Sequence, residues 1–139
     1  MSQQGVYRQI ASILEANSLG WSETASGAMY LRFSSAGVSI EVDSWGAQTV
    51  IQISSSVLAD VSADDGCVLT EVNRLNTESQ FGRWVYYPES RDICVEYFLL
   101  GDHLQEAELM TGLAALARAA DYHDDRLQQL LGGKRAFEK

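Results

Sequence analysis

The chain has 139 residues, with 19 acidic against 10 basic side chains and a formal net charge of -9. That length suits one domain, and 46% apolar residues are too many for a disordered chain. The acidic balance and the scattered Lys and Arg count against a nucleic-acid binder or an anionic membrane surface.

The first element is a helix over about Ser2 to Asn17, where Val6, Ile10, Ile13 and Leu14 recur at helical spacing. Leu19-Gly20 stops it. The period then changes to two. Met29, Leu31 and Phe33 alternate with Tyr30, Arg32 and Ser34, and after the turn Ser35-Ala36-Gly37 the set Val38, Ile40 and Val42 alternates with Ser39, Glu41 and Asp43. This predicts a hairpin with one apolar face. A third strand follows Trp45-Gly46, with Ile51 and Ile53 on one side and Ser54-Ser55-Ser56 near its end.

Ser62 or Asp64 is placed to cap a second helix running to about Leu75. The stretch 60–78 carries five acids and one arginine, so its outer face is strongly negative. Phe81 to Tyr87 and Asp92 to Leu100 form a second hairpin around Pro88-Glu89-Ser90-Arg91, the site of the only proline. A last helix spans about Gln105 to Leu131 and ends at Gly132-Gly133. Its length suggests an end that projects, bends or packs on another subunit.

The order α-β-β-β-α-β-β-α predicts an α+β fold, a mostly antiparallel sheet with helices on one face. Residues 1–133 form the single domain, and 134–139 are expected to be a disordered basic tail. The core face takes the aliphatic set, together with Val85, Ile93, Val95, Tyr97 and Leu99. The opposite face then carries Tyr30, Arg32, Trp84, Tyr86, Glu96 and Phe98, with Glu41 and Gln52. Aromatics among charges mark an interface, so these six are the candidate partner-binding residues. The partner is an identical subunit, giving a homodimer, or a client segment.

Chemistry is poorly represented. No serine lies in GxSxG or SxxK, and no phosphate loop is present. His103 falls in a loop, and His123 falls on the apolar stripe of the last helix, where a half-buried structural role is expected. Asp121 and Asp125 lie one turn apart without any metal-ligand spacing, so neither a metal nor a cofactor is expected. Cys67 and Cys94 are expected to be small, buried, reduced thiols. Gly112, Ala115 and Ala119 make a small-residue strip suited to close helix packing. No membrane span or signal peptide is visible, which leaves a cytoplasmic location.

Asn73-Arg74-Leu75-Asn76, the strand Asp92-Ile93-Cys94-Val95-Glu96-Tyr97, and the helix that begins after Gly101-Asp102 and passes through Ala119-Ala120-Asp121 carry a resemblance. With the element order, they make the chain similar to the YbjN family, labelled bacterial sensory transduction regulators, in its actinobacterial form. Motif-level likeness covers about half the chain, and element order covers nearly all of it. That family is similar in fold to type III secretion chaperones. The resemblance implies a chaperone-like domain, commonly dimeric, that binds peptides or partner proteins without chemistry, and so is not an enzyme. A small-molecule sensor or an enzyme of another kind is the alternative. Asn73 and Asn76 read as C-terminal caps of the second helix.

Overall fold

A computed structural model describes residues 2–137. The elements are α1 (Gln3–Ala16), β1 (Ser22–Glu23), β2 (Met29–Phe33), β3 (Ala36–Trp45), β4 (Gln48–Ala59), α2 (Asp65–Glu78), β5 (Arg83–Tyr87), β6 (Asp92–Leu100), α3 (Glu106–Leu131) and β7 (Lys134–Arg135). The expected α+β order stands, with two short strands added. The sheet is antiparallel in the order β1-β2-β3-β4-β6-β5, and β7 pairs with the end of β4.

Local chemistry explains the helix starts. The Ser2 hydroxyl accepts from Gly5 N at 3.0 Å, and Asp64 accepts from Cys67 N at 3.0 Å. Each satisfies one of the amides a first turn leaves open. All three helices bury their apolar stripes on one face of the sheet. Ile10, Leu14, Met29, Ile40, Ile51, Ile53, Ile93, Leu113 and Leu127 are completely enclosed there. Each contributes roughly 1.5–3 kcal/mol by burial. No helix among the described residues is long and apolar enough to cross a membrane.

Four expectations change. First, the serine run does not end a strand. β4 continues through it for 12 residues, and Ser55 is buried because its hydroxyl donates to the Gly37 carbonyl at 2.7 Å. A satisfied hydroxyl costs little in a core. Second, α3 does not project. Leu127 and Leu131 are buried at its far end, and the Leu131 carbonyl accepts from the amides of Ser62 and Ala63. Third, the tail begins in order. Arg135 and Lys134 pair with Leu58 and Ala59, and the Arg135 guanidinium meets Asp125. Gly132 and Gly133, at φ 74° and 93°, make the turn that brings this strand back. Residues 138 and 139 lie outside the described residues. Fourth, neither cysteine is in the core. Cys67 is exposed in the first turn of α2, and Cys94 is half-buried on β6.

The acids of the last helix also have a structural task. Asp121 accepts from the Ser35 amide at 3.3 Å and Asp124 from the Ser35 hydroxyl at 2.7 Å, so they hold the β2–β3 turn against α3. Among the described residues no cluster of His, Cys, Asp or Glu has the geometry of a metal site.

Glu71 ties α2 to α3. Its carboxylate accepts from Arg74 at 2.7 Å and from the Arg126 guanidinium, and the residue is buried. The Arg74 hydrogen bond, then that of Arg126, hold its carboxyl below the ordinary range, against the opposite pull of burial. The folded chain therefore binds fewer protons at this site than the unfolded one. The stabilisation is complete above the unfolded value of about 4.3 and is lost as pH falls through the lower native value. Glu71→Gln should cost about 1–2 kcal/mol near neutrality. Urea unfolding at a series of pH values should show that gap closing in acid. A gap independent of pH would mean the carboxylate contributes nothing by its charge.

Candidate peptide-docking face

The helices leave the other face of the sheet uncovered. Register builds this face row by row. Tyr30 stands beside Ser39, Ser39 beside Ser54, Ser54 beside Glu96 and Glu96 beside Arg83. The next row is Glu41, Gln52 and Phe98, followed by Asp43, Val50 and Leu100. Short serines occupy the middle strands and longer side chains stand on either side. The floor is therefore shallow, bounded by Tyr30 and Arg32 on β2 and by Arg83, Phe98 and Leu100 on β5 and β6. Tyr30 lies flat over Gly37. A Cβ there would stand 2.2 Å from the phenol oxygen, so glycine is what lets the ring lie down.

Glu96 sits in this face yet is almost wholly enclosed, at 3% exposure. Arg83 donates to its Oε1 through Nε at 3.3 Å and Nη2 at 3.1 Å, and the Tyr87 hydroxyl donates to Oε2. That last bond, then burial, pushes the Tyr87 phenol up to about 12. Chiefly by burial, the Cys94 thiol beside it is pushed up to about 11. The same Arg83 guanidinium lies 5.0 Å over the Phe98 ring. At the other end of the face, Arg32 stacks on Phe137 at 3.7 Å. Glu96 thus supports the face rather than offering a free charge. Phe98, at 42% exposure, and Leu100, at 55%, offer apolar surface.

Of the six candidate residues, Tyr30, Arg32, Glu96 and Phe98 lie on this face. Trp84 and Tyr86 do not. They are 4% and 7% exposed and sit in the core opposite Val95 and Ile93. Val85, assigned to the core, points to the open face with its partner Cys94. The reason is the apolar run 84–87, whose period-two pattern has no unique phase. The polar tips of the buried pair are accommodated. Tyr86 donates to Asp65 at 2.7 Å, and the Trp84 ring meets His123 edge-on at 5.4 Å. Leu100 and Val50 also belong to the face. The sequence pattern already sets Val50 with Gln52 opposite Ile51 and Ile53, and continuing the alternation of β6 by two residues finds Leu100.

The asparagines of α2 are not caps. The helix runs on to Glu78, and neither Asn73 nor Asn76 has left-handed backbone. Asn76 reaches across to the outermost strand instead. Its Nδ2 donates to the Trp84 carbonyl at 2.9 Å, and its Oδ1 accepts from the Trp84 amide at 2.7 Å. One carboxamide makes both hydrogen bonds that a further strand would make at that residue.

The family model described as "T3SS (YopN, CesT) and YbjN peptide-binding chaperone 1" matches residues 2–139. The chain belongs to this family of peptide-binding chaperones. Its fold is similar to three solved structures. Against the ExsC–ExsE complex, the TM-score is 0.66 at 16% identity, covering 88% of this chain and 93% of the other. The HopA1–SchA chaperone–effector complex gives 0.64 at 9%, with 86% and 94% covered. YbjN from E. coli gives 0.58 at 12%, with 90% and 94% covered. No curated protein matches. At these identities the structures establish a shared fold. The family match comes from the chain as a whole, including the α2 segment that holds Asn76.

Proposed function

We propose that this domain binds an extended segment of a partner protein on its open sheet face, without chemistry, and works as a homodimer in the cytoplasm. The observation that carries this is apolar surface where a sheet normally meets water. An antiparallel sheet with one uncovered face is usually polar there. Here Phe98, Leu100, Tyr30 and Val50 share the face with Arg32 and Arg83, and such patches mark docking sites. The family description names peptide binding, and two of the similar structures are complexes, one of them of a chaperone with an effector.

The dimer is supported by a second surface. Leu130 is 55% exposed and lines a cavity of about 600 Å³ between the start of α2 and the end of α3. A second copy covering this shoulder would bury Leu130. A regulatory role would follow from holding or releasing the partner segment.

A peptide array should yield a bound segment. Phe98→Asp with Leu100→Asp should weaken that segment by about tenfold or more while circular dichroism stays unchanged. Leu130→Asp should convert dimers to monomers in sedimentation velocity. Undiminished binding by the first pair overturns the docking face, and a wild-type monomer at all concentrations overturns the dimer.

A further inference from the structure

A second concavity lies on the helical side, between the end of α2 and the middle of α3. It has a volume of about 340 Å³. Trp84 and Leu75 are buried at its base, while Phe81 at 43% exposure and Tyr122 at 79% stand at its rim. The small-residue strip of α3 divides here. Gly112 lets the helix approach Tyr97, whose ring a Cβ would meet at 3.0 Å, as close packing requires. Ala115 and Ala119 line the groove, and their small side chains leave it open.

The charge of the lining is one-sided. Glu78 is its one formally charged side chain among the described residues, and no Lys or Arg lines it. Glu78 accepts from Arg74 through Oε1 at 3.1 Å, and its Oε2 has no hydrogen bond among the described residues. Burial first, then Arg126 and Arg74, push the His123 imidazole below its ordinary value, against the pull of Glu78 and Glu71. The ring is therefore neutral near pH 7 and adds no positive charge to the lining. Its buried Nδ1 has no hydrogen-bond partner among the described residues.

Aromatic rings on several sides with one carboxylate at the rim are the chemistry that recognises a planar cation. A guanidinium stacks flat on Phe81 or Tyr122 and donates two hydrogen bonds, in a fork that suits a carboxylate. We propose that the α2–α3 groove seats the guanidinium of an arginine side chain presented by a partner polypeptide. This rests on the reading of the domain as a peptide binder, but it uses a different surface. An apolar side chain would fit the rings but make no use of Oε2 of Glu78, which the Arg74 ion pair leaves open. Arginine uses both.

The test titrates labelled protein with acetyl-arginine methylamide, acetyl-citrulline methylamide and acetyl-leucine methylamide, followed by two-dimensional NMR. Citrulline keeps the shape of arginine and removes its charge. The arginine compound should shift the resonances of Tyr122, Phe81 and the Trp84 indole. Citrulline and leucine should bind at least about threefold more weakly. Glu78→Gln should weaken arginine by a similar factor, and Ala119→Met, which fills the groove, should abolish the shifts. Equal or stronger binding of leucine or citrulline overturns the proposal, as does an absence of shifts in the groove. Peptides that perturb Phe98 and Leu100 but not Tyr122 would uphold the docking face and overturn the arginine seat. Arginine in the groove with no peptide on the sheet would do the reverse.

Discussion

Trp84→Ala should destabilise the domain by about 3–5 kcal/mol, the cost of emptying a buried aromatic site. That is a large share of the roughly 5–15 kcal/mol a domain of this size has. The ring is 4% exposed, lies opposite Val95, and meets His123 edge-on. Its loss leaves a cavity between β5, α2 and α3 that none of these elements closes by a small shift. Phe98→Ala, one strand away on the other face, should change stability by no more than about 0.5 kcal/mol, because its ring is already 42% exposed. Urea denaturation followed by circular dichroism compares the two. A Trp84 variant as stable as the Phe98 variant would mean that β5 has the opposite phase.

The second large effect belongs to Asn76. Replacing it by alanine removes two hydrogen bonds, at 2.9 and 2.7 Å, and exposes the Trp84 amide and carbonyl. The expected loss is about 2 kcal/mol, from about 1 kcal/mol per bond. Asn76→Asp should lose as much. It keeps an acceptor for the amide but sets a carboxylate against the Trp84 carbonyl, where a donor is needed. Hydrogen exchange gives the local readout. The Trp84 amide should exchange much faster in both variants, while amides of β6, which lies between β5 and β4, keep their protection. Unchanged exchange at Trp84 would show that the carboxamide is not its partner in solution.

Much of the fold was legible because aliphatic side chains alternate cleanly in β2 and β3. Their charged and hydroxyl neighbours leave one choice of face. β5 was harder, since Trp84, Val85, Tyr86 and Tyr87 are all apolar enough to be buried. The decisive signal was present in the turn. Four residues, Pro88 to Arg91, set Tyr87 opposite Asp92 and hence Tyr86 opposite Ile93, and cross-strand partners share a face. Arg83 opposite Glu96 says the same by charge. Ser55 could not be read, because its burial depends on a carbonyl 18 residues away that accepts its proton. The acids of α3 were equally opaque. Asp121 and Asp124 look solvated along the helix and acquire their task only when the Ser35 turn folds onto them. Of the docking face, Tyr30, Arg32, Glu96 and Phe98 followed from alternation alone. The enclosure of Glu96 did not, since it needs Arg83 and Tyr87 from the neighbouring strand.

The Asn76 clasp bears on how such a domain could grow. Sheets with two bare margins invite end-on addition of copies and hence filaments. At Trp84 this sheet has no bare margin, because a helix side chain already fills the positions a new strand would take. A strand arriving there would have to displace the carboxamide before it could pair with Trp84. A single asparagine thereby guards the middle of the outer strand against addition of a further one, a property that appears in no inventory of contacts within one chain.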